Sequence, residues 1–375
     1  MTTTQPELFR RSYAEARDLL LERARKNRNP FDNVPFPRAQ AVLDRLDTLD
    51  RDAWAAIMSE AAEPHYAAAA QAEAAGDTAS AVRGYLDAFG WLRAARYPAP
   101  NSPLKKAAYR RSQDAYLALA RLSQRRFERV EIPYVGAQAR GMTIPAYFWL
   151  PERSGPLPLV ITWGGIDSFK EERQPESFLD AGFAFLAIDM PGVGDAPIPG
   201  SERGEELWDG IFDWTETRSE LDPRRVVVYG ASTGGYWATK LAHTHRDRLA
   251  GAINHGGPAH IAFTPDWIAR AAHGEYPFEL AETLACAFGR ATAAEWIDYA
   301  PRLSLLDQGI LDRPCAPLLC INGIKDSVFP IEDMYLLLQH GTPKTGRFFP
   351  SGHMGSDPQM MPTIMTWLKQ FESAR

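Results

Sequence analysis

The sequence predicts an α/β protein in which a mainly parallel, doubly wound sheet follows a long helical region, and three observations carry that prediction. Up to about Ser123, apolar residues recur at three- and four-residue spacing with almost no β-branched runs, which is the periodicity of packed helices. From Phe127 onward, short β-branched or aromatic runs alternate with amphipathic stretches, and such alternation calls for parallel strands with helices on both faces. One of those runs, Leu157 to Trp163, is apolar almost without interruption, as a strand covered on both faces must be.

The bulk properties bound the rest. At 375 residues the chain has room for one large domain or two modest ones, and the change of rhythm predicts a helical domain over residues 1–125 and an α/β domain over 126–375. A content of 45% hydrophobic and 23% charged residues is that of an ordinary globular protein and argues against disorder. The net charge of -6 comes from interspersed signs, so there is no basic face for nucleic acid and no polybasic anchor for a membrane. The stretch MTTTQPELFRRSY lacks the apolar core of a signal peptide, and no apolar run approaches the ~20 residues of a membrane span, so a cytosolic protein is expected. Cys286, Cys315 and Cys320 are odd in number and form no CxxC pair, which predicts buried, inert thiols and no thiolate zinc site.

Taken in order, the helical region contains Pro64 to Tyr97, which reads as two alanine-rich helices broken at Gly76-Asp77, where glycine ends the first and Asp77 or Thr78 caps the second. The pair resembles one tetratricopeptide unit, but no second copy follows at that period and a lone repeat has no neighbour to cover its face, so a solenoid is excluded. Leu104 to Gln124 is predicted as the last helix before the sheet. FERVEIPYV and MTIPAYFWL read as strands joined by a turn at Gly136 to Gly141. After Leu157 to Trp163 come a strand at Phe183 to Asp189, a helix at Glu202 to Ser219, a strand at Val226 to Tyr229, a helix at Thr233 to His243 and a strand at Leu249 to Asn254. An aromatic-rich helical insertion over about His260 to Leu311 precedes a strand at Pro317 to Asn322, a helix at Ile331 to His340, a strand at Arg347 to Phe349 and a final helix from about Pro358.

The segment RRVVVYGASTGGYWATKLA carries the chemistry. Gly230-Ala231-Ser232-Thr233-Gly234 fits GxSxG between a β-branched strand and an alanine-rich helix, a turn so tight that its flanks must be small and that leaves the serine hydroxyl exposed above the sheet edge. That context predicts the α/β-hydrolase fold with Ser232 as nucleophile. A serine needs a base to take its proton and an acid to orient that base, and in this fold they follow in the order acid, then histidine. LLCINGIKDSVFP puts Asp326 after one apolar strand and RFFPSGHMG puts His353 after the next, so both fall at the strand ends where Ser232 lies. Asp307 and Asp312 precede the strand and read as solvated charges, while His255 and His260 could line the pocket. An acyl-transfer oxyanion needs preorganised N–H donors, each worth about 3 kcal/mol of barrier. The N–H of Thr233 is one candidate, and the loop opened by Gly164-Gly165 offers that of Ile166 or Gly165. Asp189 in the DMPGVG turn reads as structural, because the turn lacks both GxGxxG spacing and a Walker lysine. No metal-ligand spacing is present, and neither metal nor cofactor is expected.

The loop GGIDSFKEE (Gly164 to Glu172), the DMPGVG turn and the GASTGG elbow resemble the family that contains the esterase FrsA, 2,6-dihydroxypseudooxynicotine hydrolase and fungal polyketide-shortening hydrolases. AARYPAPNSPLKKAAY (Ala94 to Tyr109) and the following FERVEIPY are similar to that family's helical cap joined to its sheet, so the resemblance covers most of the chain. It implies a cofactor-free serine hydrolase, often dimeric, with a helical cap roofing the site and a substrate whose ester or ketone-adjacent carbon-carbon bond is cleaved. Its triad falls on Ser232, Asp326 and His353. In some members an extra acidic residue follows the elbow strand, where GGPAHIAFTPDW offers Asp266 and no glutamate. The aromatics Tyr85, Phe89, Trp91, Trp267, Tyr276 and Trp296 are candidates to enclose a medium-sized, aromatic or polyketide-like carbonyl compound, with Trp267, Tyr85 and Trp91 singled out as contacts. A different class of function, a silent scaffold acting as a binding or regulatory partner, is separated from the enzyme by reactivity at Ser232.

Overall fold

The computed structural model describes residues 11–355 and 357–372, and within them the chain divides into two compact units. One comprises the residues up to Gln124 together with Tyr276–Thr283, and the other runs over Arg125–Glu275 and from Leu284 onward. The predicted insertion is therefore not wholly part of the α/β unit, because eight of its residues pack with the helices. Among the described residues, no helix is long and apolar enough to cross a membrane.

The helical unit contains α1 (Tyr13–Arg25), α2 (Phe36–Leu43), α3 (Arg51–Ala74), α4 (Thr78–Arg96) and α5 (Pro103–Leu122). Its helices start where side chains satisfy the first free N–H groups: Ser12 and Glu15 form a capping box at α1, Asp50 accepts from Asp52 and Ala53 at α3, and Asp77 accepts from Ser80 at α4. Asp77, not Thr78, is thus the cap, and Gly76 at φ +78° turns the chain between the two helices. Pro64 lies inside α3 and does not begin it. A proline there removes one i to i−4 bond, and the burial of Trp54, Ala55, Met58, Ala62 and Ala69 carries the helix through the gap. Trp54 Nε1 donates to the Ala94 carbonyl at 2.7 Å and meets Phe278 edge-on at 5.3 Å, while Tyr97 stacks on Tyr276 at 6.0 Å. These pairs hold Tyr276–Thr283 in this unit.

The second unit is built on an eight-stranded sheet of order β1-β2-β4-β3-β5-β6-β7-β8. The strands are β1 (Arg126–Pro133), β2 (Thr143–Leu150), β3 (Leu157–Trp163), β4 (Ala184–Ala187), β5 (Leu221–Ala231), β6 (Gly251–His255), β7 (Leu318–Gly323) and β8 (Lys344–Phe349). β1 and β2 form an antiparallel hairpin at one edge, and β3 through β8 run parallel to one another. Every residue of β3 is buried, as its unbroken apolar run requires. The helices are α6 (Glu176–Asp180), α7 (Leu207–Thr217), α8 (Gly234–Thr244), α9 (Pro265–Ala271), α10 (Leu280–Ala287), which spans the change of unit, α11 (Ala293–Tyr299), α12 (Ile331–Gln339) and α13 (Met360–Leu368). Cys315 and Cys320 are buried but Cys286 is exposed, because α10 turns Leu284, Ala285 and Ala287 inward and leaves position 286 outside.

The chain leaves β3 for β4 on one side and then crosses back past β3 to β5 on the other. Strand order reverses between β3 and β5, so the loops that leave their carboxyl ends diverge and open a crevice there. Gly164-Gly165 follows β3 and Ser232 follows β5.

Candidate active site

Ser232 sits on the turn from β5 into α8 with φ +54°, a left-handed conformation that a residue with a Cβ adopts at a cost of about 1–3 kcal/mol. Its N–H donates to the His255 carbonyl at 2.8 Å and its carbonyl accepts from the Gly235 N–H at 2.8 Å, so the neighbours hold the strained turn at both ends. The small flanks follow from packing. A Cβ at Gly230 would lie 2.1 Å from the Gly234 carbonyl oxygen, and one at Gly234 would lie 2.3 Å from that of Gly164. Trp163 Nε1, donating to the Gly234 carbonyl at 2.8 Å, fastens the elbow to β3.

The structure brings the hydroxyl of Ser232 to 2.8 Å from Nε2 of His353, whose Nδ1 lies 2.7 Å from Oδ2 of Asp326. The Asp326 side chain is wholly buried, and its oxygens accept from the Val328 N–H (2.8 Å), the Phe329 N–H (3.0 Å) and the Asn322 amide (2.8 Å). With both oxygens of Asp326 already taking donors, Oδ2 faces Nδ1 as an acceptor and places the imidazole N–H on that side. Nε2 is then the acceptor facing the serine. Phe329 stands edge-on to the imidazole at 5.6 Å and shields it.

Beside the elbow, the loop after β3 approaches as closely as a loop can. A Cβ at Gly165 would lie 2.8 Å from the Ser232 Cβ, 3.0 Å from its Oγ and 3.4 Å from the Thr233 nitrogen. Gly165 and Thr233 therefore flank the hydroxyl, and Ile166 is buried next in the chain. This loop is anchored five residues on by Lys170, whose ammonium lies 2.9 Å from Asp189, 2.5 Å from Asp195 and 3.0 Å from Glu171, and whose N–H donates to Asp189 at 2.8 Å. Asp189 is thus the structural floor of the loop.

Three further residues tie together the loops that carry Ser232, Asp326 and His353. Glu275 Oε1 accepts from the Ser327 N–H (3.2 Å), the Ser327 hydroxyl (3.2 Å) and the His353 N–H (3.0 Å), tying the acid loop to the base loop. Asn322 donates to Asp326 and accepts from the Met354 N–H at 2.9 Å. His255 is buried with Nε2 2.7 Å from the Met354 carbonyl oxygen. A buried Asn closing the apolar run LLCIN is a signal visible in the letters; Glu275 has none, because its partners lie 52 and 78 residues further along.

Asp266 is exposed on the first turn of α9, and the acidic residue that bonds the loops of Asp326 and His353 is Glu275. Asp307 and Asp312 are exposed, and the His260 ring bonds the Ser304 hydroxyl at 2.7 Å. Tyr85 and Trp91 are buried in the helical unit, where their rings pack against other side chains of that unit. Tyr85 donates to Glu73 at 2.7 Å and meets Tyr66 edge-on, and Trp91 meets Phe31 edge-on. Trp267 is half-buried, and its Nε1 donates to the Val328 carbonyl at 3.0 Å, so it braces the acid loop. Among the described residues, no three His, Cys, Asp or Glu side chains converge as a metal site would require.

The profile of the family described as esterase FrsA-like matches residues 51–350. The α/β-hydrolase ucsC of an Acremonium species is 30% identical over 253 residues, covering 60% of this chain and 51% of its own length. The 20-hydroxy-prefusarin hydrolase of Gibberella moniliformis is 27% identical over 247 residues, covering 61% of this chain and 58% of its own. The chain thus spans about half the length of the curated relatives it matches. The crystal structure of 2,6-dihydroxy-pseudo-oxynicotine hydrolase superposes with a TM-score of 0.70 at 23% identity, over 85% of this chain and 88% of that one. That likeness is one of fold, and the fold is the α/β-hydrolase fold with an N-terminal helical region.

Proposed function

Since the chain belongs to the FrsA-like esterase family, we propose that it is a hydrolase of small carbonyl compounds in which Ser232 is the nucleophile, His353 the general base and Asp326 the residue that orients it. The observation that carries this is the 2.8 Å approach of the Ser232 hydroxyl to His353 Nε2 on a strained elbow, continued at 2.7 Å to a buried carboxylate.

In this mechanism Oγ of Ser232 attacks the substrate carbonyl as His353 Nε2 takes its proton, and the new C–O bond leaves a tetrahedral oxyanion. The N–H groups of Thr233 and of Ile166 or Gly165 receive that oxyanion, since both segments border the hydroxyl. Asp326 stabilises the imidazolium. Collapse of the intermediate breaks the bond to the leaving group, an alkoxide oxygen in an ester or an enolate carbon in a β-diketone, and His353 returns the proton to it. Water, deprotonated by His353, then releases the acyl group and restores the serine. A medium-sized aromatic or polyketide-like substrate is favoured, with support from the relative named as a 20-hydroxy-prefusarin hydrolase.

Ser232→Ala tests the proposal. It should lower kcat by about a million-fold, because the nucleophile acts as one unit with its base, while the circular dichroism spectrum and melting temperature stay near those of the parent. A fluorophosphonate probe should label the parent at Ser232 and leave the variant unlabelled. Full activity in the variant, or no labelling of the parent, would return the chain to the binding-scaffold alternative. Aryl esters assayed beside β-diketones decide which bond is cleaved.

A further inference from the structure

We infer that His255 is a positioning residue for the general base: it holds the Met354 carbonyl and thereby fixes the left-handed residue on which the orientation of His353 depends. The inference rests on the serine mechanism proposed above and adds to it a second histidine with a role of its own.

His255 closes β6 at the sheet edge and touches both halves of the site. Its backbone carbonyl accepts the Ser232 N–H at 2.8 Å, and its ring reaches the residue that follows His353. The chemistry of the partners decides the tautomer. A carbonyl oxygen can only accept, so Nε2 carries the proton and donates to Met354 at 2.7 Å. Nδ1 is then an acceptor, and the Tyr229 hydroxyl, 2.9 Å away, donates to it. Tyr229 also stacks on the imidazole with 5.9 Å between centroids and 24° between planes, which fixes the ring plane. Burial pushes the pKa of His255 down to about 4 against the opposing pull of the Met354 hydrogen bond, and His353 and Arg173 add to the downward push. The ring is neutral wherever a serine hydrolase works.

The need for such a hold lies in Met354, which has φ +62°, a conformation unfavourable for a side chain with a Cβ. Its N–H is taken by Asn322 Oδ1 at 2.9 Å and its carbonyl by His255, so the residue is gripped from the ends of two adjacent strands. Just before it, the His353 N–H is held by Glu275 at 3.0 Å. If the carbonyl grip is lost, Met354 can relax toward an ordinary φ, and the imidazole swings away from Asp326 and Ser232. His255 itself cannot be a second base for Ser232, because its basic nitrogen, Nδ1, already accepts from the Tyr229 hydroxyl while Nε2–H is given to Met354. It acts through another residue.

The test compares His255→Phe, which keeps a ring but removes the donor, with His255→Gln, whose amide nitrogen can stand where Nε2 stood. Turnover of p-nitrophenyl acetate is expressed per site titrated with a fluorophosphonate. The phenylalanine variant should lose roughly 10- to 100-fold in kcat, as small misplacements of a catalytic group do, with KM changed by less than about 3-fold; the glutamine variant should recover most of the loss. The acid limb of kcat/KM should move to lower pH in His255→Phe, since an imidazole slipping from its carboxylate is less basic. A purely structural role would lower the melting temperature and the number of titratable sites but leave the acid limb in place. Parental kcat per site with an unmoved acid limb overturns the inference. Should His255→Phe not fold, His255→Asn against His255→Gln asks the same question, because asparagine carries its amide where Nδ1 stood. A slow asparagine variant beside an active glutamine variant supports the grip, and equal rates refute it. Ser232→Ala is run alongside. Activity there sinks the serine mechanism itself, whereas a dead Ser232→Ala beside an unimpaired His255→Phe sinks only the positioning role.

Discussion

In the helical unit, Lys105 is buried with its ammonium 3.8 Å from Glu279 and 5.8 Å from the centre of the Phe278 ring, and Glu279 is also held by Arg51 at 2.6 Å and Asn101 at 3.1 Å. In the sheet unit, Asp326 is buried with as many donors, but its remaining partner is an imidazole whose other nitrogen faces a hydroxyl on a strained turn. Both regions enclose charge and set partners against it, Glu279 and Asp326 accepting hydrogen bonds while the Lys105 ammonium faces Glu279 across 3.8 Å without one. In the first the bonds close on themselves and fasten one segment to its neighbours; in the second they form a line with an open reactive end. Buried charge alone therefore does not distinguish a site from a clasp, and the direction in which the hydrogen bonds lead does.

The comparison breaks most readily at Asp326. Asp326→Asn keeps the shape but presents either an amide donor or a neutral acceptor to Nδ1, and kcat should fall by about 10⁴-fold, measured on an aryl ester at saturating concentration; a loss below 10-fold would mean that the line of bonds does not serve catalysis. A smaller effect is expected at Gly165→Ala, which sets a methyl 2.8 Å from the Ser232 Cβ and shifts the N–H groups proposed to receive the oxyanion. Here kcat should drop by about 10²- to 10³-fold, while urea unfolding shifts far less than activity.

The smallest effects separate the two units by the pH dependence of the urea midpoint. In the sheet unit, burial holds His243 and His255 down to about 4. Below the unfolded value of about 6.5 the unfolded chain binds protons that the native one refuses, so stability present above that pH is lost as pH falls toward 4, by about 1.4 kcal/mol per pH unit for each histidine. In the helical unit, burial pushes Lys105 down to about 8. Between there and about 10.5 the unfolded lysine keeps a proton that the native one has released, so stability should rise with pH. Burial pushes Lys240 and Lys344 of the sheet unit down as well, so Lys105→Met should shrink the alkaline rise without removing it and leave the acid fall untouched, and replacing both histidines by Gln should shrink the acid fall and leave the rise untouched. If either substitution altered both limbs, the two polar sets would not be separate.

Much of this arrangement can be read from the letters because strand ends are local. Ser232, Asp326 and His353 each follow an apolar run and stand near glycine or another small residue, so their order and placement at one sheet edge follow from a parallel sheet. Glu275 cannot be read that way, since nothing near it indicates that its partners are Ser327 and the His353 N–H. The same holds for Tyr276 and Phe278, whose partners Tyr97 and Trp54 come from the far end of the chain. Local rules also misplaced Pro64, because helix propensity yields to burial of the face around it. Tyr85 and Trp91 were legible as aromatic but not as core, a distinction that depends on which neighbours fill the space.

The return of Tyr276–Thr283 to the helices bears on how this molecule can be dissected. Cutting the polypeptide at position 125 looks natural on paper, yet the longer fragment would carry Tyr276 and Phe278 stripped of the rings that cover them and Glu279 stripped of Arg51, Asn101 and Lys105. Such a fragment would expose sticky aromatic surface a few residues beyond the carboxylate that braces the catalytic loops. Shortened versions for screening or crystallisation should therefore keep both pieces, or replace the eight-residue excursion with a polar bridge.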